Sequence, residues 1–322
     1  MLANIFNNNK PLTWALLFLL SLGGGFWVLN QHPLEGSCFY FAGYSTLISP
    51  TLHWIIWPLS LSVMVIIFNF LITERLELLK RSSYLGYVYV MLVGFWYTGA
   101  FSLSTFAAAF TFLVTAYQLV YSGPFQKISG QLFNIGFFLG LSATFEPALS
   151  WLIIPYVAVL FIFGRAQFRY ITLLILGLLT PWIAMAEISY LLGYWELYTD
   201  FYHSLFDLPS SGLEWSKEIS WASTTIMGIS VLLAAKEYTV ALAKAKIYKK
   251  QGFNTFWIFL IAFILLSILI PEKALTFLFM AQIPLSVLFT NYLQYLRKRW
   301  VLEVLLWILI LLNLLSPLLH SL

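Results

Sequence analysis

The 322-residue chain is 61% hydrophobic, 19% aromatic and only 9% charged, far below the roughly 25% charged content of soluble domains. At about 20 residues per helical span plus short turns, it has room for around eleven membrane spans and no large water-soluble domain. The net charge of +4 is dispersed along the chain, which excludes a nucleic-acid surface, because such a surface gathers its cations on one face.

Apolar runs occupy roughly residues 12–30, 51–72, 83–101, 104–121, 132–146, 148–163, 170–191, 221–235, 253–270, 274–292 and 301–316. Each run predicts one helix, which makes the chain an all-α, polytopic protein of about eleven spans. The first run is too long for a signal-peptide core and lacks a small-residue cleavage pattern, so it predicts a retained span. Cys38 is the single cysteine and has no disulfide partner.

Orientation follows from charge. Of the 17 Lys and Arg residues, all but Lys217 and Lys273 fall at the N-terminus or in every second gap between runs. Positive side chains stay on the cytoplasmic face, so the N-terminus is expected inside and the C-terminus outside. Runs 132–146 and 148–163 are each short for a straight span, with Pro147 between them. Parity decides their reading. A single crossing there would put Lys127 and Arg165 on opposite faces and make every later basic gap external. The pair therefore predicts a short helical hairpin with Glu146 and Pro147 at its outer apex.

Two external segments are long, residues 31–50 and 192–220. In the second, Glu196, Asp200, His203 and Asp207 recur at helical spacing beside Leu197, Tyr198, Phe201 and Tyr202. That pattern predicts a helix over residues 194–208 lying along the outer interface. On the inside, the five lysines of residues 236–250 predict adhesion to anionic lipid. Gly136 and Gly140 form a small-xxx-small pair suited to close helix packing.

Few residues are available for chemistry outside. Glu35 sits in the turn-rich stretch His32-Pro33-Leu34-Glu35-Gly36, where a partly buried carboxylate would take a proton from an acceptor hydroxyl. Glu146 and Glu187 lie near the outer ends of spans, where acids are costly and tend to face a cavity or a partner. Their convergence with Glu35 would define one external pocket. Lys217 and Lys273, the two external cations, suit a lipid phosphate as point charges. Asp200, His203 and Asp207 have residue types compatible with a divalent metal, although a solvated amphipathic helix shows the same pattern.

The layout of seven spans, with one long external loop after the first and another after the seventh, resembles the GT-C superfamily of polyprenyl-phosphate-sugar glycosyltransferases. Residues 133–182 carry the likeness, in FNIGFFLGLSATFEPALSWLIIPYVAVLFIFGRAQFRYITLLILGLLTPW: a glycine-spaced span, a short return span, a basic turn, and a span ending in Pro-Trp. The chain is also similar to a family of bacterial polytopic proteins in which the opening MLANIFNNNKP and this central stretch recur. The resemblance implies a GT-C-like module over residues 1–220 and a four-span module over residues 221–322. It implies transfer of a sugar from a polyprenyl-phosphate donor at the outer leaflet of the bacterial inner membrane. Glu35 would be the catalytic base, where the superfamily usually has Asp, with Lys217 and Lys273 on the lipid phosphate and, in some members, a divalent metal. The alternative is a non-catalytic scaffold that keeps the fold and serves a membrane-protein partner. A secondary transporter fits less well, because the span centres are almost free of charge.

Overall fold

The computed structural model describes residues 5–7, 10–31, 38–41, 44–47, 50–96, 103–122, 129–203, 221–243, 246–296 and 298–320. In chain order the elements are α1 (Pro11–Gln31), β1 (Cys38–Phe41), β2 (Tyr44–Leu47), α2 (Pro50–Phe70), α3 (Tyr84–Trp96), α4 (Leu103–Tyr121) and α5 (Ser129–Phe145). There follow α6 (Ile153–Ile162), α7 (Phe168–Leu191), α8 (Trp195–His203), α9 (Trp221–Ala243), α10 (Ile247–Leu269), α11 (Ala274–Tyr295) and α12 (Arg299–His320). Each predicted apolar run is helical over its described residues, and α8 is the described part of the helix predicted over residues 194–208. Among the described residues, α2, α4, α7, α10 and α11 are long and apolar enough to cross a membrane.

The fold is helical with one departure from the all-α expectation. Within residues 31–50, β1 and β2 pair antiparallel with Cys38 opposite Leu47 and Phe41 opposite Tyr44. This ribbon lies beside α4 and α5, so the segment is a folded element where the sequence suggested only a loop.

Helix α11 is the axis of the bundle. Its apolar stretch is 89% buried, against 22% for α7, as expected for a helix that is hydrophobic all round. It packs on α3, α9 and α10. Helix α7 is peripheral and rests chiefly on α5, where glycines set the contact. A methyl on Gly136 would overlap the carbonyl oxygen of Leu174, one on Gly140 that of Leu178, and one on Gly177 that of Phe133. Backbones meet directly here, the close approach that small residues permit between membrane helices.

The predicted reversal at residue 146 is present. Thr111 of α4 bonds Ser142 of α5 (2.7 Å), and Thr115, one turn further along α4, bonds Tyr156 of α6. The chain therefore runs out along α4 and back along it. Beyond α6, Arg165 Nη1 donates to the carbonyl of Ser122 at the C-terminal end of α4 (3.4 Å), so Arg165 returns to the end from which α5 departs. The hairpin arms do not pack mainly on one another: α5 goes to α4 and α7, and α6 goes to α10.

Candidate functional site

The sequence supplies two prolines that bring two charges together. Pro147 pushes the residue before it out of helical conformation, and Glu146 is extended (φ −142°, ψ 101°) between α5 and a 3-10 turn over Pro147–Leu152. Pro271 does the same beyond α10, opening the 3-10 turn Pro271–Lys273, with Lys273 N donating to Ile270 O (3.1 Å). Lys273 is the N-cap of α11. Its Nζ lies 3.4 Å from both carboxylate oxygens of Glu146.

Electrostatics explain the placement. A cation at a helix N-terminus opposes the helix dipole, whereas an anion there is favoured; Glu146 supplies that anion. Its side chain is 13% exposed and that of Lys273 is 48%, so the carboxylate carries most of the desolvation. Burial holds the Glu146 carboxyl above its ordinary range, and the charge and hydrogen bond of Lys273 offset this only in part.

The turn after Pro147, α6 and the C-terminal part of α10 enclose an apolar groove of about 270 Å³, lined by Trp151, Ile154, Pro155, Leu265, Leu269 and Ile270 among others. Ile270 and Trp151 lie three and five residues from Lys273 and Glu146 respectively, so the groove is lined by the chain segments that lead from the pair, although neither charged residue lines it. The Trp151 indole N–H is buried without a hydrogen-bond partner. A half-exposed ammonium and a hydrocarbon-lined groove on neighbouring segments are the two features an amphiphile with an anionic head requires.

The remaining predicted residues divide clearly. Glu35, Lys217 and Asp207 lie outside the described residues. Glu187 is exposed on α7 and makes no ion pair among the described residues. Asp200 and His203 are exposed on α8, as the amphipathic reading expects. That helix is anchored through its aromatics: Tyr198 donates to Trp182 O (3.0 Å), and Tyr202 packs on the Trp182 ring at 4.6 Å. The tyrosines therefore face α7, whereas the sequence placed them among the residues facing lipid. Among the described residues no three His, Cys, Asp or Glu side chains gather closely enough to hold a metal ion.

Sequence reasoning found both members of the ion pair but assigned them separate tasks. It missed Trp151 and the groove. The available signal was a charged residue close to a proline in two turns, Glu146-Pro147 and Pro271-Glu272-Lys273.

No curated protein and no solved structure matches the chain. Residues 39–317 match the profile of a family of unknown function, DUF6427, and the chain belongs to that family.

Proposed function

We propose that this is a bacterial inner-membrane protein of about eleven spans, N-terminus cytoplasmic and C-terminus external, that transfers a sugar from a polyprenyl-phosphate donor at the outer leaflet. The observations that support this reading most are the Glu146–Lys273 pair and an apolar groove lined by the segments that lead from it. The groove takes isoprenoid chain and Lys273, with Lys217, takes the phosphate. An arriving phosphate competes with the Glu146 carboxylate for the ammonium, and Glu146, held above the usual carboxylate range by burial, tolerates the exchange by accepting a proton. Glu35 accepts the proton of the acceptor hydroxyl. The acceptor oxygen bonds the anomeric carbon as that carbon's bond to phosphate oxygen breaks, and polyprenyl phosphate leaves. Glu187 belongs to the same outer face. Asp200, His203 and Asp207 would be the ligands of any divalent metal; the described part of α8 shows no metal-holding group, and the reaction as written takes none.

A second reading is a membrane scaffold that serves a protein partner. It is favoured by the same pair, because the external cation among the described residues is already neutralised by Glu146. One experiment separates the two: photo-crosslinking membranes with a photoreactive polyprenyl phosphate. The enzyme reading expects labelling of residues 147–155 or 262–273, competed by unlabelled polyprenyl phosphate and lost in Lys273→Gln, with sugar transfer abolished by Glu35→Gln. Unchanged labelling in Lys273→Gln, or labelling that polyprenyl phosphate does not compete, favours the scaffold.

A further inference from the structure

We propose a second lipid site at the opposite, basic end of the bundle, where the diverging first turns of α5 and α7 bind the phosphate headgroup of an anionic phospholipid. Glycine contacts fix the two helices side by side from Phe133 and Leu174 onward, with Gly177 against Phe133, Gly136 against Leu174 and Gly140 against Leu178. Both helices run the same way, so both N-terminal ends arrive together. Before the contact they part, leaving a cavity of about 600 Å³ lined by Ser129, Gly130, Gln131, Asn134 and Arg169 over apolar Phe133 and Leu173.

The chemistry of this cavity is one-sided. Arg169 has no carboxylate partner among the described residues. Neither helix has an acid in its first turn, and α7 begins at Gln167 with no side-chain cap. Two positive helix ends and a guanidinium therefore converge where the described residues supply no anion. Arg also matches phosphate oxygens bidentately. The surroundings select a lipid over free phosphate: Phe168 is 86% exposed beside Arg169, and Leu176, 51% exposed, continues along α7 as a track for an acyl chain. Arg165, held at the same end by Ser122, places the cavity among the basic turns, the face next to the leaflet richest in anionic lipid when orientation follows charge.

The test is native mass spectrometry of the full chain titrated with phosphatidylglycerol or phosphatidylcholine, with and without inorganic phosphate. Wild type is expected to prefer phosphatidylglycerol, and Arg169→Gln to lose about tenfold in affinity for it, with partial recovery in Arg169→Lys. Because Arg169 is exposed and pairs with no carboxylate among the described residues, folding is expected to survive; Asn134→Leu, also at an exposed position, provides an independent reduction. A double Lys249→Gln, Lys250→Gln variant is expected to keep the preference. Three outcomes overturn the proposal: equal affinity for both lipids, a preference that persists in Arg169→Gln but vanishes in the double-lysine variant, or inorganic phosphate binding as tightly as the lipid. The polyprenyl-phosphate reading at the other end stands or falls separately, since it rests on Lys273.

Discussion

Glu146 is held in a setting that makes ionisation costly, so its behaviour with pH has a definite sign. A carboxyl whose folded pKa is raised binds its proton more tightly when folded. Its stabilising contribution is complete below the unfolded value and is lost as pH rises through the folded one. For Glu146 that window runs upward from the ordinary carboxylate range, because burial outweighs the opposing influence of Lys273. Infrared titration of the protonated carboxyl band is therefore expected to place Glu146 above the ordinary carboxylate range. Lys273→Ala, which removes the offsetting charge, is expected to push it higher, and Glu146→Gln to flatten the pH dependence of thermal stability in that window. A titration of Glu146 unmoved by Lys273→Ala would mean the pair is not formed. A second buried group makes the opposite kind of case. Gln282 of α11 is fully buried, and neither amide atom has a hydrogen-bond partner. An amide in that state costs about 1–3 kcal/mol, so Gln282→Leu is expected to stabilise the protein by an amount of that order in thermal unfolding. Destabilisation would show that the amide is satisfied in the membrane.

At the scale of elements, the α5–α7 contact sorts glycines that look alike in the sequence. Gly136→Ala is expected to cost about 1–3 kcal/mol, since the added methyl meets backbone that cannot yield cheaply. Gly130→Ala is expected to be nearly neutral, because nothing lies within 4 Å of its would-be Cβ. Equal melting temperatures for the two variants would contradict the packing. The small-xxx-small spacing made close packing legible, but the partner was not: apolar faces of many helices are interchangeable at the level of pattern, and α7 emerges only from the three-dimensional contact. The reversal at Glu146 was legible through the parity of the basic gaps. The Glu146–Lys273 pair was not, because the two residues are 127 positions apart and no periodicity links such distant turns. The ribbon β1–β2 was also missed, its two four-residue strands being too short to stand out among helical apolar runs.

At the scale of the molecule, the contacts between elements bring several of the basic turns to one end of the bundle. Lys80 N donates to Gln294 Oε1 (2.9 Å), joining the turn after α2 to the end of α11. Arg81 in that turn lies 3.3 Å from Glu74 and 3.2 Å from Glu77, and Ser83 N donates to Phe6 O (2.8 Å). Gly252 of α10 faces both Leu78 of that turn and Val120 of α4, and Arg165 reaches Ser122 at the end of α4. The basic turns thus collect at one end, while Glu146 and Lys273 meet at the other. A membrane normal drawn between the ends puts Lys249 and Lys273 on opposite faces, since α10, 23 residues long, separates them by about 35 Å at 1.5 Å per residue. In a chain whose Cys38 has been replaced by Ser, a cysteine at Lys273 is expected to react with a membrane-impermeant maleimide added to intact cells. A cysteine at Lys249 is expected to react only after the membrane is opened, because the positive side chains around it stay on the cytoplasmic face. Labelling of both positions from the same side would break the correspondence between charge and fold, and with it the assignment of the Glu146–Lys273 groove to the outer leaflet.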